Sequence, residues 1–107
     1  MTDEKIEKCI KEITTLLKLT YPDFKGIYLY GSRVRGDYKA DSDYDLLFVF
    51  ERDVKWEFKE EIRHIIYEYE DKYDVFLDSK IISAREMDMN RIPLIQSVKD
   101  TGIFYGI

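Results

Sequence analysis

Cysteine and histidine are nearly absent from this sequence: Cys9 and His64 are the single examples in 107 residues. A lone thiol cannot close an internal disulfide, and the two together cannot supply the ligand cluster of a zinc site. Long apolar runs are missing as well. The longest, Leu46 to Phe50 and Ile27 to Tyr30, fall far short of the ~18 residues that suggest a membrane helix. Positive charge is scarce, with 17 basic residues against 22 acidic ones and a formal charge of -5. A broad footprint for duplex DNA or an anionic membrane is therefore not expected, so neither membrane association nor direct nucleic-acid binding is anticipated. No charged-then-apolar leader follows Met1, and the expected compartment is the cytoplasm. Two prolines and five glycines leave no linker or low-complexity tract. What is present is 45% apolar and 15% aromatic residues, enough for residues 1–107 to build one domain with an unstapled core.

Periodicity divides the chain into alternating elements. From Asp3 to Leu19 the residues Ile6, Cys9, Ile10, Ile13, Leu16 and Leu17 recur at three and four, the stripe of an amphipathic helix, with Pro22 beyond its end. Cys9 lies on that stripe and reads as a small core residue. Gly26 to Tyr30 is β-branched and aromatic, a strand running into a Gly31-Ser32 turn. Residues 33 to 42 are polar, a short helix and a loop whose Asp37, Lys39 and Asp41 read as solvated charges. Tyr44 to Phe50 is apolar on both alternating faces, which marks a central strand covered on both sides. Trp56, Ile62, Ile65, Ile66, Tyr69 and Tyr73 form the stripe of a second long helix, Val54 to Tyr73, with His64 off the stripe and given no catalytic role. Asp74 to Ile82 alternates as a third strand. Short helices at Arg85 to Asn90 and Pro93 to Asp100 and a last strand at Ile103 to Tyr105 complete an α-β-α-β-α-β-α-α-β order. The fold class expected is α/β or α+β, a mixed sheet packed with helices.

The chemistry concentrates after the first strand. Gly31-Ser32 ends that strand, ten residues pass, and Asp43-Tyr44-Asp45 opens the buried one. Residues i and i+2 of a strand share a face, so Asp43 and Asp45 should converge. Such a pair at ~4 Å repels by about 4 kcal/mol at an effective dielectric of about 20, which calls for a cation or a proton. A hard divalent cation such as Mg2+ takes oxygen ligands, few of them from protein. Asp74 is preferred as a third oxygen source because it begins the next predicted strand, with Asp78, of the same parity, as the alternative. Glycine lets phosphate approach the backbone and Ser32 adds a hydroxyl donor, while of the two nearby arginines Arg35 is preferred over Arg33 for phosphate. Ser42, next to Asp43, joins the candidate nucleotide-binding residues.

Other motifs fail on their letters. Asp41, Asp43 and Asp45 imitate the start of an EF-hand, but its sixth position is Leu46 instead of glycine and its twelfth is Arg52 instead of glutamate. No phosphate-binding Gly-x-x-x-x-Gly-Lys-Ser/Thr string occurs.

Gly31-Ser32, ten residues, then Asp43-x-Asp45 resembles the signature of the nucleotidyltransferase fold of the DNA polymerase β superfamily. The fuller string Gly-Ser-Arg-Val-Arg-Gly-Asp-Tyr-Lys-Ala-Asp-Ser-Asp-Tyr-Asp-Leu from Gly31 resembles the minimal nucleotidyltransferases that are encoded beside a HEPN-domain protein. The likeness extends more loosely over nearly the whole length, through Tyr73-Asp74-Val75 and the closing Lys99-Asp-Thr-Gly-Ile-Phe-Tyr. It implies that Gly31 and Ser32 hold a triphosphate, that Asp43 and Asp45 bind Mg2+, and that Asp74 is the third carboxylate. Tyr73 departs from the apolar residue the family usually places before that aspartate. Such enzymes direct a hydroxyl at the α-phosphate of a nucleoside triphosphate and release pyrophosphate. In the HEPN-paired members the resemblance implies AMP transfer from ATP to a tyrosine of a ribonuclease toxin, which makes the chain an antitoxin.

Nucleotidyl transfer asks a protein chiefly for positioning and charge neutralisation, which suits a short chain. Two Mg2+ ions ~3.5 to 4 Å apart are expected to bridge Asp43 and Asp45, with Asp74 on the second ion. Because 107 residues leave no acceptor-binding domain, the acceptor is expected to be a partner protein met by exposed aromatic residues. Two other readings are a binding antitoxin with a vestigial nucleotide site and a homodimeric nucleotidyltransferase for small molecules.

Overall fold

The computed structural model describes residues 4–36, 43–89 and 93–106. Nine elements follow one another there: α1 (Glu4–Thr20), β1 (Phe24–Tyr30), α2 (Ser32–Arg35), β2 (Tyr44–Phe50), α3 (Trp56–Tyr73), β3 (Leu77–Ser83), α4 (Ala84–Met89), α5 (Pro93–Thr101) and β4 (Ile103–Gly106). The sheet is mixed, in the order β3-β2-β1-β4. β1 lies antiparallel to β2 and to β4, whereas β2 and β3 are parallel. A parallel pair needs a crossover, and α3 supplies it.

One face of the sheet carries Ile27, Leu29, Leu46, Phe48, Phe50, Leu77 and Ile81 against Ile6, Cys9, Ile10, Ile13 and Leu17 of α1 and Ile62 and Ile66 of α3. The opposite face carries Tyr30, Leu47 and Val49 against Met87 of α4 and Ile95 and Val98 of α5. β2 is therefore covered on both sides, as its unbroken apolar run predicts. Cys9 is fully buried, and burial pushes its thiol up to about 11, consistent with a core residue. Among the described residues no helix is long and apolar enough to cross a membrane.

Three expectations are corrected. Trp56 does not join the buried stripe of α3; it is exposed, and Phe58 instead packs edge-on against Phe50 and Tyr21. β1 begins two residues early, at Phe24, whose ring lies 5.1 Å from that of Phe50. Asp74 does not open the third strand. It closes α3 in the left-handed region, φ 52° and ψ 56°, its amide donating to the Glu70 carbonyl. Aspartate tolerates that conformation better than most residues. The Glu70 carboxylate accepts from the Leu77 amide at 2.9 Å, at the point where β3 begins.

Candidate active site

The carboxylates gather where the C-terminal end of β1 meets the N-terminal ends of β2 and β3. Antiparallel pairing sets Tyr30 opposite Asp45, and parallel pairing sets Asp45 opposite Asp78. Tyr30, Asp45 and Asp78 thus form a row across three strands. Their neighbours Leu29, Tyr44, Leu46 and Leu77 belong to the core under α1 and α3, so period-two alternation turns the row to the other face. Asp43 stands just before β2, exposed, and its charge reaches Asp45.

Gly31 closes the row from the β1 side. Its φ of 84° and ψ of -157° belong to a region open almost exclusively to glycine, and a Cβ there would run into the Asp45 carboxylate. Both the backbone and the neighbouring strand therefore demand glycine. From it the chain enters α2, a single turn in which the Gly31 carbonyl accepts from the Val34 and Arg35 amides, each at 3.1 Å. Gly36 ends the turn in the left-handed region, its amide donating to the Ser32 carbonyl at 2.8 Å. Val34 anchors α2 in the core, and Arg33 lies over the Tyr44 ring at 4.3 Å, while Arg35 is exposed.

Electrostatics single out the Asp45–Asp78 pair. Burial raises the Asp45 carboxyl above its ordinary range; the negative charge of Asp78, which is within hydrogen-bonding reach, raises it further, and Asp43 adds to this. Lys80 opposes them. Its ammonium lies 3.7 Å from the Asp78 Oδ1 and also faces Tyr30. Burial acts to lower the Lys80 pKa, but Tyr30, Asp78 and Asp45 outweigh it and the group is raised. The Tyr30 hydroxyl is buried without a well-aligned hydrogen bond among the described residues, and burial raises its pKa.

The structure thus brings together Gly31, Asp43 and Asp45 of the predicted set, with Ser32 opening α2 beside them. Asp74 sits apart from the row, three residues ahead of β3, where Lys5 donates to its carbonyl at 3.4 Å. Ser42 lies outside the described residues, together with Asp37, Lys39 and Asp41. Sequence reasoning missed Tyr30 and Lys80. A lysine two residues after a candidate carboxylate in a strand shares its face, and that parity was the available signal.

Hard oxygen donors converging beside Gly31 fit Mg2+, which draws few ligands from protein and completes its shell with water and phosphate. Among the described residues no group of three or more His, Cys, Asp or Glu side chains is clustered tightly enough to hold a metal by itself. Asp45 and Asp78 are the carboxylate pair that could share such a cation.

The family model described as a nucleotidyltransferase domain matches residues 5–101. A Methanocaldococcus jannaschii protein whose name assigns it as a protein adenylyltransferase is 31% identical over 100 residues, 94% of each chain. Solved structures share the fold. A toxin-antitoxin crystal structure with AMP-PNP superposes with a TM-score of 0.62 at 21% identity, covering 91% of this chain and 73% of that one. A complex of tri-AMPylated Shewanella oneidensis HEPN toxin with MNT antitoxin gives 0.57 at 18% identity, covering 94% and 72%.

Proposed function

Because the chain belongs to the nucleotidyltransferase domain family, we propose that it transfers AMP from ATP to a tyrosine hydroxyl of a HEPN-domain toxin, releases pyrophosphate, and so acts as an antitoxin. The observation that carries this reading is the pairing of Asp45 with Asp78 beside Gly31, whose lack of a side chain lets the Asp45 carboxylate sit against it. The adenylyltransferase name of the archaeal relative supports protein as the acceptor, and the AMPylated toxin in a neighbouring structure supports the partner class.

Gly31 lets the Asp45 carboxylate close on the β1 end, and Ser32 with Arg35 engages the triphosphate oxygens. Asp45 and Asp78 hold the cation side of the site, and the Asp43 charge reaches Asp45 from just before β2. We assign the third carboxylate to Asp78 instead of Asp74, since strand pairing supports Asp78 as the neighbour of Asp45. Mg2+, when bound there, neutralises phosphate charge and lowers the pKa of the acceptor hydroxyl. The acceptor oxygen forms a bond to the α-phosphorus as the bond to the bridging oxygen of pyrophosphate breaks, and the acceptor proton passes to a site carboxylate or water.

Exposed Trp56, Tyr67, Phe76 and Phe104 are available to a partner; among the tyrosines, the large exposed ring is Tyr67 alone within the described residues. The deciding experiment incubates the protein with labelled ATP, Mg2+ and a co-encoded HEPN protein and reads intact mass. AMP added to the partner supports the proposal. Tight ATP and Mg2+ binding without transfer to that partner would redirect the search to small-molecule acceptors, and no binding would leave an occluding antitoxin.

A further inference from the structure

Lys80 is not among the residues that the nucleotidyltransferase motif draws attention to, yet it occupies the centre of the site's charge balance. It follows Asp78 by two residues on β3 and shares its face. Its ammonium is 3.7 Å from the Asp78 Oδ1, faces Asp45, and stands beside the buried Tyr30 hydroxyl that lacks a well-aligned partner. Two carboxylates within hydrogen-bonding reach repel each other unless a cation or proton lies between them. Lys80 is the cation that the strand itself provides.

We propose that Lys80 is a positioning residue that exchanges partners during the cycle. In the metal-free protein its ammonium holds Asp45 and Asp78 together. When a divalent cation takes the carboxylates, like charge expels the ammonium, which turns to the polyphosphate of the incoming nucleotide. The Lys80 side chain is 45% exposed and rooted within β3, so this exchange needs rotation about its own side-chain bonds alone. Lys80 therefore competes with the metal and assists the nucleotide, two effects of opposite sign from one residue. The inference rests on the function proposed above and concerns how its site is regulated by charge.

The test uses Lys80→Met, which keeps the aliphatic stem, and Lys80→Arg, which keeps the charge. Mn2+ binding to the nucleotide-free protein is followed by electron paramagnetic resonance, and binding of a non-hydrolysable ATP analogue with Mg2+ by calorimetry. Lys80→Met should tighten Mn2+ and weaken the nucleotide, each by about fivefold, the size of a half-exposed charge pair. Lys80→Arg should stay close to the wild type in both. Either affinity left unchanged by Lys80→Met overturns the proposal. If at the same time Asp45→Asn abolishes Mn2+ binding, the nucleotidyltransferase site stands and the role of Lys80 alone is refuted. If the wild type binds neither Mn2+ nor nucleotide, both fall together.

Discussion

Asp45 on β2 and Asp78 on β3 face one another directly across a parallel strand pair, although 33 positions separate them in sequence. That pairing, and not the spacing of the motif alone, is the ground on which we propose that these two carboxylates share a cation. It also separates Asp78 from Asp74, which belongs to a helix end.

The first prediction compares those two residues. Asp78→Asn should lower AMP transfer by about a hundredfold or more, the scale for removing one preorganised charge-stabilising group. Asp74→Asn should retain most activity. Asp74→Gly should raise the melting temperature, because glycine relieves about 1 kcal/mol of left-handed backbone cost. Radiolabel transfer and thermal melts check both, and an inactive Asp74→Asn protein with native stability would return Asp74 to the site.

Asp45 links activity to stability through pH. Burial and the Asp78 charge hold its carboxyl above the ordinary range, so the folded protein binds this proton more tightly than the unfolded chain does. Stability from that proton is present at acid pH and fades as pH rises through the raised value. At neutral pH the ionised group therefore burdens the fold. Asp45→Asn should melt higher than wild type at pH 7 in metal-free buffer while losing activity, and the gap should narrow as pH falls toward about 4, the unfolded aspartate range. A gap that does not vary with pH would contradict this assignment.

At Gly31, alanine meets two obstacles, a glycine-type φ of 84° and the Asp45 carboxylate. Gly31→Ala should destabilise by about 1–3 kcal/mol. Transfer should fall by about a hundredfold, the penalty carried by a misplacement of about 1 Å at a reacting centre. Denaturant melts and steady-state rates read the two effects separately. An alanine variant as active as wild type would show that Asp45 can give way.

Far from the site, Phe50 is the hub of an aromatic cluster with Tyr21, Phe24 and Phe58 at ring separations of 5.9, 5.1 and 4.8 Å. Phe50→Ala should cost about 3–5 kcal/mol by opening a cavity that rigid neighbours cannot fill. Urea titration measures this directly, and a loss below 1 kcal/mol would mean that the cluster collapses easily.

Much of this arrangement is visible in the letters because local rules and tertiary demands agree. The stripe Ile6, Cys9, Ile10, Ile13 and Leu17 had to be buried, and the apolar run of β2 had to lie inside a sheet. Gly31 and Asp45 were both identifiable, the first as a turn residue and the second by its parity with Asp43. The difficulties arise where two assignments satisfy the same local rule. Asp74, Phe76 and Asp78 share a parity, so alternation fits a strand begun at either end, and a helix stopped by an aspartate instead of a glycine gives no advance notice. Trp56 fits the helical stripe as well as Phe58 does until the aromatic cluster around Phe50 chooses between them. Register across β2 and β3 depends on the whole crossover, which no window of sequence contains. Lys80 escaped notice because a strand lysine ordinarily reads as a solvated edge charge.

The crossover through α3 has a further consequence. Since β2 and β3 cannot adjoin until the intervening helix has docked, Asp45 and Asp78 stay apart in the nascent or partly melted chain. The proposed transfer reaction would thereby be restricted to molecules that have completed their long-range pairing.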